Sequence, residues 1–432
     1  MGKKAQQRRA AREAERSTTS ALHGIPRWSQ DSAGQVVATR PPAFWHSAPG
    51  GAVDCTLCYR RCRIEPGAAG WCDYRANQGG RLVLPEHGVL ARCQRQMLGL
   101  RGGIRTFLPG ARALALGLTR CTAGCSFCSS AAIVHNPETL GWLGDRRRGI
   151  GTSGGWHYVK SMLHPQGIIQ LAQEWRARAV VFAENEPLLS WEYTYDVARL
   201  ARKAGLKVVI YTNGFSSVRA IEQLAPFVDA VDLGIKGSLD PDFYAVHMRS
   251  PGAVEHVKAA ALAWRAAGVS LILSDLIPAA HLQDDDRQQA AQTALYAWAA
   301  ETLGEHTPIL IGPMVRPELI RGAVEMTDDR SVFLKGRDQS DESYAGRIAA
   351  AWGRARQAGL AYAHVLGYDT PLPCHSCGAP LLQIDAPAAC GAPDMHGACS
   401  MFTHYCDCWR VHCGAHKSRC IACGAAVPIV EA

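Results

Sequence analysis

Residues 112–128 read Arg-Ala-Leu-Ala-Leu-Gly-Leu-Thr-Arg-Cys-Thr-Ala-Gly-Cys-Ser-Phe-Cys, an apolar run that breaks into three cysteines, Cys121, Cys125 and Cys128. The run from Arg112 to Thr119 is too short and too continuously apolar for an amphipathic helix, and it reads as a buried strand. The cysteines begin just after it, and in sheets of alternating strands and helices the chemistry gathers at the carboxyl ends of the strands. Their spacing is C-x3-C-x2-C. Three thiolates on one short loop can ligate three irons of a cubane cluster and leave the fourth iron without a protein ligand. Structural zinc fits worse, because it takes four ligands, usually as paired knuckles, and this loop holds no fourth thiol.

Outward from that loop, a long cysteine-free stretch separates Cys128 from Cys374. Short β-branched or apolar runs recur in it, at Ala179 to Ala183, Lys207 to Thr212, Ala230 to Ile235, Val269 to Asp275 and Pro308 to Ile311. Segments of helical period lie between them, among them Tyr193 to Ala204, Pro251 to Ala267 and Gln288 to Leu303. Alternating β and α units imply a parallel sheet, and six of them predict an α/β fold of the partial (β/α)6 barrel type. Four segments follow: a disordered basic tail over 1–40, an N-terminal Cys-rich module over 41–105, the core over 106–366 and a zinc-ribbon-like Cys-rich module over 367–432.

With Phe127 before its last cysteine, the loop resembles the radical S-adenosylmethionine (SAM) superfamily. More narrowly, the chain resembles the radical SAM component of the AmmeMemoRadiSam system, itself similar to pyruvate formate-lyase activating enzymes. The resemblance rests on an ordered series: Cys55-Thr-Leu-Cys58 with Cys62 and Gly70-Trp-Cys72, Phe107-Leu-Pro-Gly110, the cluster loop, Glu184-Asn-Glu-Pro187, Thr212-Asn-Gly214, Ile235-Lys-Gly237, Leu276-Ile-Pro278 and Asp369-Thr370. It implies a 4Fe-4S cluster on Cys121, Cys125 and Cys128 that reductively cleaves SAM to a 5′-deoxyadenosyl radical. By the same resemblance Phe127 packs near the adenine, Asn185 and Glu186 bind the SAM amino group, and Asn213 lies near the ribose or carboxylate. It further implies an external low-potential reductant, a flavodoxin or ferredoxin. The substrate is an unknown protein or small molecule. Two departures stand out: Tyr211 and Gly234 occupy positions where activating enzymes carry aspartates that hold a monovalent cation. Their loss argues against such a cation here and against a pure activase role.

The seventeen cysteines suit neither an ordinary cytosolic protein nor a secreted disulfide framework, and metal explains them better. Cys374-His-Ser-Cys377-Gly and Cys420-Ile-Ala-Cys423-Gly form two knuckles, each followed by a glycine that permits the positive φ such turns need. They predict a four-cysteine zinc ribbon or a rubredoxin-like iron site of structural role. The 42 residues between the knuckles hold Cys390, Cys399, Cys406, Cys408 and Cys413 with His396, His404, His412 and His416, where a second metal or auxiliary cluster and idle thiols remain equal readings. Cys55, Cys58, Cys62 and Cys72 are placed to bind one metal. Zinc is slightly favoured over iron-sulfur there, since C-x2-C-x3-C does not match common cluster loops. Cys93 reads as a buried thiol.

Composition narrows the classes. No apolar stretch is long enough to cross a bilayer, and the basic N-terminus has no apolar run behind it, so a cytoplasmic protein is expected. Residues 1–16 carry six basic and two acidic side chains, a net +4 of the chain's +8, and read as a solvated extension. The Gly-rich stretch 144–155, with Arg146, Arg147 and Arg148, reads as a solvated loop, because no strand precedes it and it lacks a P-loop ending. His157, His247 and His281 lie near predicted loops. Two rival functions are a zinc or iron-sulfur protein that binds nucleic acid and a cluster-bearing electron carrier. Both leave the strand-helix core without a purpose, and the basic residues are not interleaved with aromatics as a nucleic-acid face requires.

Overall fold

The computed structural model describes residues 40–99, 104–128, 130–135, 161–314, 342–365, 372–385, 410–413 and 415–430. Five short strands open the chain: β1 (Trp45–Ser47), β2 (Val53–Cys55) and β3 (Arg63–Ile64) form one antiparallel sheet, and β4 (Ala76–Gln78) pairs with β5 (Arg81–Val83). The core follows as β6 (Val89–Met97), β7 (Arg112–Leu118), β8 (Ser161–Met162), β9 (Ala179–Glu184), β10 (Lys207–Thr212), β11 (Ala230–Lys236), β12 (Ser270–Ile277), β13 (Ile309–Pro313) and β14 (Ala363–Val365). These nine form one sheet in the order β14-β13-β12-β11-β10-β9-β7-β6-β8. Strands β7 and β9 to β14 run parallel, while β6 pairs antiparallel with both β7 and β8.

All six strands expected between residues 112 and 311 form, side by side and parallel in one sheet as the α/β partial-barrel reading requires. Two additions were not foreseen. Strand β14 has three residues, too few to carry a pattern, and β6 lies inside the segment assigned to the N-terminal module.

The parallel strands read as continuous apolar runs because both faces are covered. Leu114, Leu116, Val180, Phe182, Val208, Ile210, Val231 and Leu233 point outward, into a core shared with Leu171, Val197, Ile221, Val257 and Leu295 of the surrounding helices. Their alternates Ala113, Ala179, Val181, Val209, Ala230 and Ile272 point inward and are met by Leu98, Ile104, Phe107 and Leu108. The segment before β7 thus fills the lower interior with apolar side chains, each contributing roughly 1.5–3 kcal/mol on full burial. Ser217, Asp240 and Asp284 cap the helices Val218–Leu224, Pro241–His247 and Asp285–Trp298 by accepting from N–H groups of their first turns. The described residues include no helix long and apolar enough to cross a membrane.

The C-terminal strands are β15 (Leu372–Pro373), β16 (Pro380–Asp385), β17 (Arg410–Cys413), β18 (Ala415–His416) and β19 (Arg419–Cys420). They attach at the amino ends of the barrel strands. Tyr362, just before β14, bonds His375 Nδ1 at 2.6 Å, and Val430 exchanges backbone bonds with Thr106 and Leu108 below β7. The 1–39 tail, the 144–155 loop, His157, Asp369-Thr370 and the insertion bearing Cys390, His396, Cys399, His404, Cys406 and Cys408 lie outside the described residues.

Candidate active site

At the carboxyl end of β7 the chain turns through Arg120 into the cysteine loop. Gly124 N donates to Met248 O at 3.0 Å and Ser126 N to His247 O at 2.8 Å, which seats the loop on the end of helix Pro241–His247. A Cβ on Gly124 would lie 3.3 Å from Arg249 and 3.4 Å from Trp71, so a side chain here would crowd both. Cys121 Sγ accepts from Ala123 N at 3.4 Å and from Asn213 Nδ2 at 3.7 Å. Burial pushes the Cys125 thiol up to about 12, with Cys128 adding to the rise and Lys236 opposing it. Burial, then Glu186, drives Cys121 well above its ordinary value. Thiols this reluctant to ionise alone lose their protons when a cation binds them. Lys236, at the end of β11, folds its ammonium back onto Gly234 O at 2.8 Å, in space that only a glycine at 234 leaves open.

The end of β9 supplies two acceptors. Asn185 Nδ2 donates to Leu118 O at 2.9 Å, at the head of the cysteine loop, and this leaves Asn185 Oδ1 buried with no hydrogen bond among the described residues. Glu184 pairs through Oε1 with Arg92 of β6, while its Oε2 is likewise buried and unbonded. The pair crosses β7 at Gly117, where a Cβ would sit 2.9 Å from Arg92 Cβ and 3.1 Å from Glu184 Oε2.

Glu186, expected to face a ligand amine, is turned inward. It is 1% exposed and accepts from Thr212 Oγ1 at 2.9 Å, Asn213 N at 2.7 Å and Leu188 N at 3.2 Å. Its lone pairs are spent on the end of β10 and its own helical turn. Burial raises its carboxyl to about 7 against the opposing pull of these bonds. Asn213, expected near a ribose or carboxylate, is also committed. Its amide donates to Thr122 Oγ1 at 3.0 Å and to Cys121 Sγ, and its Oδ1 accepts from Phe215 N at 3.0 Å. Phe127 is buried with its ring 5.6 Å from that of Phe243. His281 is exposed beyond β12, and His247 enters through its backbone carbonyl. Glu184, Arg92 and Lys236 were given no role by sequence. Glu184 adjoins Asn185, but Arg92 reaches the site only through an antiparallel pairing that no local pattern announces.

The C-terminal knuckles converge. Sγ of Cys374 lies 3.7 Å from that of Cys423, and Sγ of Cys377 lies 3.7 Å from that of Cys420. A tetrahedral site with metal–sulfur bonds of about 2.3 Å sets its sulfurs about 3.8 Å apart. Gly378 and Gly424 follow the knuckles at φ 72° and 75°. Among the described residues these four thiols are the one group of three or more potential ligands whose atoms all lie within 4.8 Å.

Residues 117–294 match the family model described as the radical SAM superfamily. The chain is similar to an uncharacterized protein of Methanocaldococcus jannaschii, at 23% identity over 201 residues that cover 46% of this chain and 54% of that one, so it spans about half of that relative's length. Among solved structures it is similar to the crystal structure of QueE from Escherichia coli, with 17% identity, a TM-score of 0.35 and coverage of 52% of this chain and 83% of that one.

Proposed function

From the premise that the chain belongs to the radical SAM superfamily through its domain at 117–294, we propose that it is an activating-enzyme-like oxidoreductase whose 4Fe-4S cluster is held by Cys121, Cys125 and Cys128. Membership implies SAM and an iron-sulfur cluster. When bound, these supply reductive cleavage of SAM to a 5′-deoxyadenosyl radical able to abstract hydrogen from substrate. The observation that carries the reading is the pair of buried acceptors, Glu184 Oε2 and Asn185 Oδ1, without a hydrogen bond among the described residues, at the head of the loop that carries the three thiols. A carboxylate and an amide oxygen together suit a cationic amine.

The chain's own residues divide the work as follows. Glu184 and Asn185 receive the amino group, and Arg92 fixes the Glu184 carboxylate. Asn213 and Ala123 donate N–H to the Cys121 sulfur, and Lys236 brings positive charge to the thiolates. Glu186 positions Asn213 and Thr212 rather than touching the ligand. Phe127, set on Phe243, offers an apolar wall for the base. The four C-terminal thiols hold zinc, or iron as in rubredoxin, in a structural role away from the reacting end. Electrons come from a low-potential flavodoxin or ferredoxin, and the protein works in the cytoplasm. The substrate is a protein or a small molecule.

The test is anaerobic reconstitution with iron and sulfide, reduction with dithionite, addition of SAM, and measurement of both the cluster's EPR spectrum and 5′-deoxyadenosine, beside Cys125→Ala. SAM should shift the spectrum, and the nucleoside should form in the parent alone. A fully loaded cluster whose spectrum ignores SAM would sink the reading.

A further inference from the structure

We propose that Cys55, Cys58, Cys62 and Cys72 hold a second iron-sulfur cluster, set against the loop that carries the first. The hairpin of β2 and β3 brings Cys55 opposite Cys62, with Cys55 N donating to Cys62 O at 2.8 Å. Cys58 lies in the connecting loop. Cys72 arrives from the next turn, past Gly70, where a Cβ would lie 3.3 Å from Ile64 Cδ1 and 3.6 Å from Cys62 Cβ. All four thiols line one cavity of about 20 Å³ together with Arg75 and Thr122.

The spread of the sulfurs favours a cluster over a single zinc. No three of these thiols have their sulfurs mutually within 4.8 Å, whereas the four C-terminal ones do. A single zinc bonded at about 2.3 Å draws its sulfurs to about 3.8 Å from one another. Thiols spread around a central space suit a polynuclear group carrying its own sulfide.

The surroundings fit an anion. Backbone N–H groups of Tyr74 and Arg75 point at the Cys72 sulfur, and that of Arg60 at the Cys58 sulfur. The Arg75 guanidinium, 1% exposed, is bonded to Glu192 and Ala43 O and keeps a buried Nε without a partner among the described residues. Placement adds a functional argument. Thr122, next to Cys121, forms part of the cavity wall, and Arg60 Nε donates to its carbonyl at 2.8 Å.

The full-length chain, reconstituted anaerobically with iron and sulfide, tests the proposal by acid-labile sulfide, iron and zinc counts in three forms: the parent, Cys121/Cys125/Cys128→Ala, and that variant with Cys58→Ala and Cys72→Ala added. The triple variant should keep at least two sulfides per chain with at least as much iron, and the added substitutions should remove the sulfide with an equal amount of iron. Iron on the C-terminal knuckles carries no sulfide and so does not confuse the count. A triple variant without sulfide, whether metal-free or holding zinc in its place, overturns the proposal, as does sulfide that survives loss of Cys58 and Cys72. Circular dichroism of each form, together with Cys62→Ser alone, guards against misfolding: the single variant should lose this cluster and keep an EPR signal that SAM shifts. If instead the central reading fails, the parent and the triple variant hold equal sulfide, so the two failures are separable.

Discussion

Replacing Glu186 by glutamine tests how a buried carboxyl is used at the site. Its raised value of about 7, against an ordinary 4.5, comes first from burial. For an acid raised on folding, the native state holds its proton over a range where the unfolded chain has lost it, so stability falls as pH rises through that window. The rise corresponds to about 3 kcal/mol at roughly 1.36 kcal/mol per pH unit, of which about 2 to 3 kcal/mol falls between pH 5 and pH 8. Glutamine resembles the protonated acid. Its oxygen can accept from Asn213 N and its amide can donate to Thr212 Oγ1, while one bond, that from Leu188 N, is lost at a cost of about 1 kcal/mol. Near pH 5 the variant should therefore match the parent or fall slightly below it, and by pH 8 it should be the more stable by about 1 to 2 kcal/mol. Urea midpoints of the cluster-free full chain at the two pH values read this directly. Asp275, raised to about 6 by its own burial, titrates alike in both proteins and cancels. A difference that does not change with pH, or one that moves in the parent's favour as pH rises, would refute the reasoning.

Glu184→Gln should weaken SAM binding by about 1.5–3 kcal/mol, roughly 10- to 100-fold, in a titration of the cluster's EPR shift, while Glu186→Gln leaves that affinity within a few-fold. Arg75→Met strands Glu192, which is 0% exposed, and should cost about 3–5 kcal/mol of stability by urea denaturation. Cys377→Ser with Cys423→Ser should remove about one metal equivalent, seen by elemental analysis, and lower the thermal midpoint while 5′-deoxyadenosine formation persists. Gly214→Ala, at φ 77° with its new Cβ 2.8 Å from Leu233 Cδ1, should disturb the turn that carries Asn213 and reduce nucleoside yield more than it reduces cluster content.

The parallel core was legible because its strands are buried on both faces and so advertise themselves as unbroken apolar runs. Ala179 to Ala183 and Lys207 to Thr212 are recovered within a residue as β9 and β10. The cysteine loop was legible because three ligands share eight residues. What local reading misses is long-range pairing. Strand β6 carries Arg92, Gln94 and Gln96 among its apolar residues, a polar edge-like pattern, and only its antiparallel register against β7 brings Arg92 beside Glu184, 92 positions away. The roles of Asn185 and Glu186 depend on which way two adjacent side chains turn after β9, and that of Asn213 on the turn after β10. The motif marks the place, but hydrogen bonds from Thr212 and Leu188 decide that Glu186 faces inward.

The two cysteine-rich ends occupy opposite ends of the parallel strands, and that separates what metal can do at each. The C-terminal knuckles lie by the amino ends, tied to Tyr362 and to Thr106 and Leu108. A metal there can stiffen the chain terminus, but the filled lower interior stands between it and the cysteine loop. The N-terminal four lie at the carboxyl ends. Tyr59 N bonds Phe215 O, Ser217 N bonds Leu57 O and Arg60 holds Thr122 O, Arg249 O and Ser250 Oγ, so the same short segment grips the loops after β7 and β10 and the turn before helix Val254–Ala266. Loss of whatever Cys55, Cys58, Cys62 and Cys72 bind would loosen Arg60 and Leu57, and through them the loops that present Cys121 and Asn213. A C-terminal metal could be lost with the reacting end untouched, whereas loss of an N-terminal one would slacken the loops around the cysteine cluster while leaving that cluster in place.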